Sequence, residues 1–131
     1  MNKVLIKSNS PYKFDRKYLR RKIDQYLKKT GLEEVELSLA FVGKRKMRHL
    51  NKTFRKLNKI SDVLAFTQEE PRLPSGVLML GDIVVCYPEA QREAIDYQEE
   101  IDIAIWDFVK HGLNRLTKRK VGAGSPRPIK Y

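Results

Sequence analysis

The stretch Val77-Leu78-Met79-Leu80-Gly81-Asp82-Ile83-Val84-Val85-Cys86 decides the fold. It is far shorter than the ~20 apolar residues a membrane helix needs. It reads as a strand, or as a strand pair bent at Gly81. Asp82 is the one carboxylate in it, and a buried acid is costly unless hydrogen-bonded, so Asp82 needs a partner. Downstream, Pro88–Glu99 reads as an amphipathic, mostly acidic helix. Ile101–Leu116 reads as the most apolar helix. Ile101, Ile105, Phe108, Gly112 and Leu116 share one of its faces, which should pack across the sheet.

Upstream, Asp62–Thr67 is a strand, and Glu69–Ser75, with two prolines, is a loop. Lys44–Lys56 is a helix whose buried stripe is Met47, Leu50 and Phe54. Arg45, Arg48, Lys52 and Arg55 form a separate basic stripe on it. Val35–Val42 alternates apolar and polar residues, as a strand does. Phe14–Lys29 is a helix with Asp15 as N-cap and Gly31 as its stop. Val4–Ser8 is a short strand. The tail Val121–Tyr131, with two glycines and two prolines, should be irregular. Helices on a mixed sheet, α+β or α/β, is the expected architecture.

At 131 residues with 41% apolar content, one domain with a real core is expected. We place it at residues 1–120, with 121–131 as a basic tail. Cys86 is the only cysteine. A disulfide framework and a Cys-rich zinc site are therefore excluded, and no disulfide-linked partner is expected. The apolar run Val4–Ile6 is too short for a signal peptide. A cytoplasmic protein without a membrane partner is the expectation.

The formal charge of +11 is unevenly spread. Residues 44–61 hold eight Lys and Arg and no acid, and residues 108–131 hold seven and no acid. Residues 87–107 hold seven acids against Arg92. A chain that needed only solubility would mix its signs. Polarisation of this kind points to a polyanion, and nucleic acid is the expected partner.

Three short motifs could carry chemistry. Asn51-x-x-Phe54-Arg55 leads into Ser61-Asp62-Val63-Leu64-Ala65-Phe66. Arg55 there is either a solvated cation or a phosphate grip, and Asp62 could simply turn the chain. Leu80-Gly81-Asp82-Ile83-Val84 holds the strand carboxylate. His111-Gly112-Leu113 lies near the end of the apolar helix, with Asp107 one turn before His111 and able to hydrogen-bond it.

In this order, with Leu37–Val42 before them and Val109-Lys110 preceding His111, these motifs resemble the YbeY family. Its members are metal-dependent endoribonucleases of bacterial ribosomal RNA maturation. The resemblance covers residues 1 to about 116. It implies an α+β fold with a mixed, mainly parallel four-stranded sheet. It also implies a solvent-open cleft with zinc at its base, with Arg55 lining the cleft against RNA phosphate. The implied activity is single-strand-specific cleavage of ribosomal RNA, on the RNA itself or on a ribosomal subunit. Catalytic Arg55, metal ligand His111 and an RNA-binding set of Arg45, Arg48, Lys52, Arg55 and Arg115 follow from the two readings together.

The sequence departs from the family at the metal motif, His-x-x-x-His-x-x-x-x-x-His. His111 fills the first position, Arg115 the second and Val121 the third. A guanidinium stays protonated and cannot bind zinc. The expectation is therefore weak or absent zinc in this chain. Natural loss of the metal site and a frame error in the coding sequence both fit the change after Leu113. A rival class is a non-catalytic RNA-binding or ribosome-associated protein that uses the basic helix face. A metalloprotease is disfavoured, since no His-Glu-x-x-His occurs.

Overall fold

A computed structural model of the chain describes residues 2–8, 10–67, 74–122 and 128–129. The elements are β1 (Lys3–Ser8), α1 (Arg16–Lys29), β2 (Val35–Val42), α2 (Lys44–Arg55), β3 (Val63–Phe66), β4 (Leu78–Cys86), α3 (Tyr87–Asp96), α4 (Ile101–Gly122) and β5 (Pro128–Ile129). The sheet order is β1-β2-β4-β3-β5. β1 and β4 both run parallel to β2, while β3 is antiparallel to β4. The four longer strands thus make the mixed, mainly parallel sheet of an α+β fold.

Alternation along the strands sorts side chains to two faces. Leu37, Leu39, Phe41, Ile83 and Val85 join the main core with Leu19, Ile23 and Leu27 of α1 and Ile105, Phe108 and Leu113 of α4. Val42, Leu64 and Cys86 face the other way and pack with Met47 of α2. Among the described residues α2 is the helix that packs on this face, and Arg45, Arg48 and Lys52 on its far side are exposed.

β4 is one strand rather than a pair. The register shifts opposite Glu36 and Leu37, where Met79 and Gly81 face successive β2 residues. The extra residue lets Leu78 and Leu80, then Ile83 and Val85, all reach the main core. Gly81 adopts φ 145° there, and an added Cβ would lie 2.3 Å from the Phe66 carbonyl oxygen and 2.9 Å from Leu116 Cδ2. Gly112 does a similar service on α4, since a Cβ would come within 3.0 Å of Ile83. These two glycines seat α4 close on the sheet.

Asp15 caps α1, its carboxylate accepting from the Tyr18 N–H at 3.0 Å. The carboxylate of Asp102 accepts from the Asp15 N–H at 2.8 Å and ties that cap to α4. Two features differ from the irregular tail expected beyond residue 120. α4 continues through Gly122, and Pro128–Ile129 adds a two-residue strand antiparallel to β3. Most of the expected loop at 69–75, and tail residues 123–127 and 130–131, lie outside the described residues. Among the described residues no helix is long and apolar enough to cross a membrane.

Candidate active site

The end of α2 is fixed by a buried polar residue. Asn51 is fully buried on the face that Met47 shares. Its side-chain amide donates to the Lys59 carbonyl at 3.0 Å and to Ser61 Oγ at 3.1 Å. Its backbone carbonyl accepts from the N–H groups of Lys56 and of Leu57, the latter at 3.2 Å. Lys56 takes the left-handed conformation, φ 58°, which ends the helix. One asparagine thereby stops α2 and folds the 59–61 segment back toward β3.

Arg55 rests on this cradle. Its Nη1 donates to Asn51 Oδ1 and to Ser61 Oγ, each at 3.3 Å. Its Nε is buried and has no acceptor among the described residues. The guanidinium is held on one edge and leaves a donor unmet at its base.

Asp62 follows, and its backbone carbonyl accepts from the Cys86 N–H at 2.9 Å. Desolvation raises the pKa of its carboxyl, and Glu89 adds to the rise. Arg92, His111 and Lys59 act in the opposite sense. Asp62 thus senses charges from α3, from α4 and from the loop after α2. Glu89 is paired with Arg92 and lies 4.0 Å from Lys44 Nζ. Glu93 is pushed up to about 7 by desolvation first, then by Asp107, Asp62 and Glu99, with a hydrogen bond to Asp107 contributing. Asp107 of α4 thus acts on Glu93 of α3.

Arg55 bonds to Ser61, and His111 lies within electrostatic reach of the neighbouring Asp62. Arg45, Arg48 and Lys52 are exposed along α2, with Arg45 at the opposite end from Arg55. His111 and Arg115 are exposed one turn apart on α4. Asp82 is half-buried and engages a partner, as its place in an apolar strand requires.

One expectation is corrected. Phe54 is 51% exposed rather than buried, and Leu50 is only partly buried. Asn51 takes the inward position because its amide has partners at Lys59 and Ser61. Phe54 instead lies edge-to-face on Phe66 at 5.3 Å, with its ring open to solvent. Asn51 and Ser61 stand in the motif read from the sequence, but their role as the cradle of Arg55 was not assigned there, and the Glu93–Asp107 pair was not read at all. The available signal was a polar residue four positions after Met47, on the apolar phase of the helix.

The donor chemistry does not match a three-ligand zinc site. Among the described residues, no three His, Cys, Asp or Glu side chains group so as to hold a metal ion. Arg115 places a fixed cation one turn from His111. The side chain of Val121 lies outside the described residues.

The family model of endoribonuclease YbeY matches residues 5–117. The endoribonuclease YbeY of Myxococcus xanthus is 38% identical over 92 residues, covering 70% of this chain and 31% of that protein. That of Aquifex aeolicus is 33% identical over 119 residues, covering 88% of this chain and 75% of that protein. The chain thus spans less than a third of the Myxococcus relative and three quarters of the Aquifex one. The solution structure of TM1509 from Thermotoga maritima has the same fold, with a TM-score of 0.62 at 22% identity over 87% of this chain and 71% of that one. With the family match running from β1 into α4, across Arg55, Asp62, Asp82 and His111, this chain belongs to the endoribonuclease YbeY family.

Proposed function

We propose that the chain is an endoribonuclease that cuts single-stranded ribosomal RNA in the cytoplasm, on free RNA or on a ribosomal subunit. The observation that supports it most is the state of Arg55. Its guanidinium is pinned by Asn51 and Ser61, and its buried Nε still lacks an acceptor. A planar cation so placed suits a phosphate oxygen. The exposed cations Arg45, Arg48, Lys52 and Arg115 draw the RNA backbone by releasing its counterions. The open ring of Phe54 offers a stacking surface to an unpaired base, which favours single strands over duplex.

The chain's own residues divide the work. The His111 imidazole takes the proton of a ribose 2′-OH, and that oxygen attacks the adjacent phosphorus. The 5′-oxygen leaves and takes a proton from solvent water, and the proton held on His111 returns to solvent, giving a 2′,3′-cyclic phosphate and a 5′-hydroxyl end. Arg55 offsets the negative charge gathered on the phosphoryl oxygens. No step is assigned to zinc, because the donors around His111 do not fit it. After dialysis, elemental analysis should find well under one zinc per molecule. Stoichiometric zinc that is lost in His111→Ala would overturn that part.

The test is a short single-stranded RNA with one 2′-deoxy nucleotide at the cut position. Cleavage of the all-ribose strand and its loss in the deoxy strand are expected. Cutting of both strands would rule out 2′-OH attack. Binding without any cutting would favour the non-catalytic reading.

A further inference from the structure

The turn that joins α3 to α4 is closed by its own backbone. The Glu99 N–H donates to the Ala94 carbonyl at 2.9 Å and the Gln98 N–H to the Ile95 carbonyl at 3.2 Å, with Gln98 left-handed at φ 54°. This fixed corner holds three large side chains in solvent. Ile95 is 76% exposed, Tyr97 73%, and Ile103, in the first turn of α4, 45%. Asp96 and Glu100 are exposed among them, and Glu99 is half-buried. Residues 93–107 contain no Lys or Arg, so the corner is acidic on a chain whose formal charge is +11.

The C-terminal end of α2 is the same kind of surface with the opposite sign. Phe54 and Leu57 are exposed there, and so are Lys52, Lys56 and Lys59 around them in the chain. Exposed apolar side chains rimmed by charge mark contact surfaces. Two such corners would repel each other, and so would two α2 ends, but a corner and an α2 end match in both charge and apolar area. At physiological salt a net charge is screened beyond about 8 Å, so the local signs decide whether two copies meet. RNA does not suit the corner, because its phosphates and these carboxylates repel.

We propose that the α3–α4 corner of one copy of this chain docks on the C-terminal end of α2 of a second copy. Ile95, Tyr97 and Ile103 of the one lie against Phe54 and Leu57 of the other, and Asp96 and Glu100 meet Lys56 and Lys59. The contact is head-to-tail. Its two surfaces differ, so a pair still carries one free surface of each kind, and assembly grows with concentration. The contact also covers the Phe54 ring that the RNA reading above offers to an unpaired base. On that reading, assembly and RNA binding exclude each other.

The experiment measures the average mass of the full chain by analytical ultracentrifugation at rising protein concentration, with no RNA present, so its failure leaves the RNA reading untouched. The parent should rise above the 15.3 kDa of one chain. Asp96→Lys/Glu100→Lys breaks the corner, and Lys56→Glu/Lys59→Glu breaks the α2 end. Each variant alone should stay at one chain. Their equal mixture should reach twice that mass and stop, because the first variant keeps an intact α2 end and the second an intact corner. Ile95→Ser/Tyr97→Ser, which changes only exposed side chains, should also hold the protein at one chain. A parent that stays at 15.3 kDa throughout would overturn the contact. So would variants that assemble alone as the parent does, or a mixture that never pairs.

Discussion

Arg55 bonds to Ser61 and His111 acts electrostatically on the neighbouring Asp62, but the two are held very differently. Arg55 sits half-buried on a cradle made by Asn51 and Ser61, and Asn51 also ends the helix. His111 stands exposed on α4, with Arg115 exposed one turn further on. The first side is part of the fold, so it cannot change without cost to stability. The second side is a solvent-facing ridge on a helix whose inner face does the packing. That contrast separates a cation built into the fold from two side chains that the packing of α4 does not require.

The largest expected effect comes from driving the two sides apart. Gly81 lies between the Phe66 carbonyl of β3 and Leu116 of α4. Gly81→Ala adds left-handed strain and a clash on both, and should cost about 3–4 kcal/mol in denaturant unfolding. A loss below about 1 kcal/mol would mean that α4 is not seated through this glycine.

Next is the cradle itself. Asn51→Ala leaves the Lys59 carbonyl, Ser61 Oγ and Arg55 without a shared partner, and should cost about 2–3 kcal/mol. Stability equal to the parent would show that the 59–61 segment is held by something else.

A smaller effect should appear as a pH slope between α3 and α4. Burial and neighbouring acids raise Glu93 in the folded state from its ordinary 4.5 to about 7. Between those values the folded protein holds more protons than the unfolded chain. Stability is therefore present at the acid end and falls as pH rises through that window. Asp62, shifted in the same direction, adds to the fall. Melting temperatures from pH 5 to pH 8 should decline in the parent and decline less in Glu93→Gln. Parallel profiles would sink this assignment.

Smallest of all is the ridge. His111→Ala and Arg115→Ala should each change stability by no more than about 0.5 kcal/mol, as exposed substitutions usually do. A loss near that of Asn51→Ala would erase the contrast between the two sides.

Much of this fold was legible because it rests on periodicity. The 3.6-residue phase of α1 and α4 and the alternation of β2 set the main core directly. Gly81 was visible as a break in an apolar run, though only the register with β2 shows it to be a bulge. The phase of α2 misled at its end, where Met47, Leu50 and Phe54 suggested one stripe. Asn51 displaces Phe54 from the interior because its hydrogen-bond partners lie eight and ten residues further on, and no local rule reveals them. The Glu93–Asp107 contact joins two helices and exists only once they pack. The two-residue β5 depends on the free edge of β3, which sequence propensity does not report.

The account turns on Arg55 as a phosphate grip that planar geometry, and not charge alone, makes effective. The most direct measurement compares cleavage of a single-stranded ribosomal RNA segment by the parent and by Arg55→Lys, in the presence of a zinc chelator and with unfolding stability recorded for both. The account predicts that the parent cuts despite the chelator, and that Arg55→Lys loses most of the cleavage rate while losing less than about 1 kcal/mol of stability. Equal cleavage by the two proteins, or a parent silenced by the chelator, would contradict it.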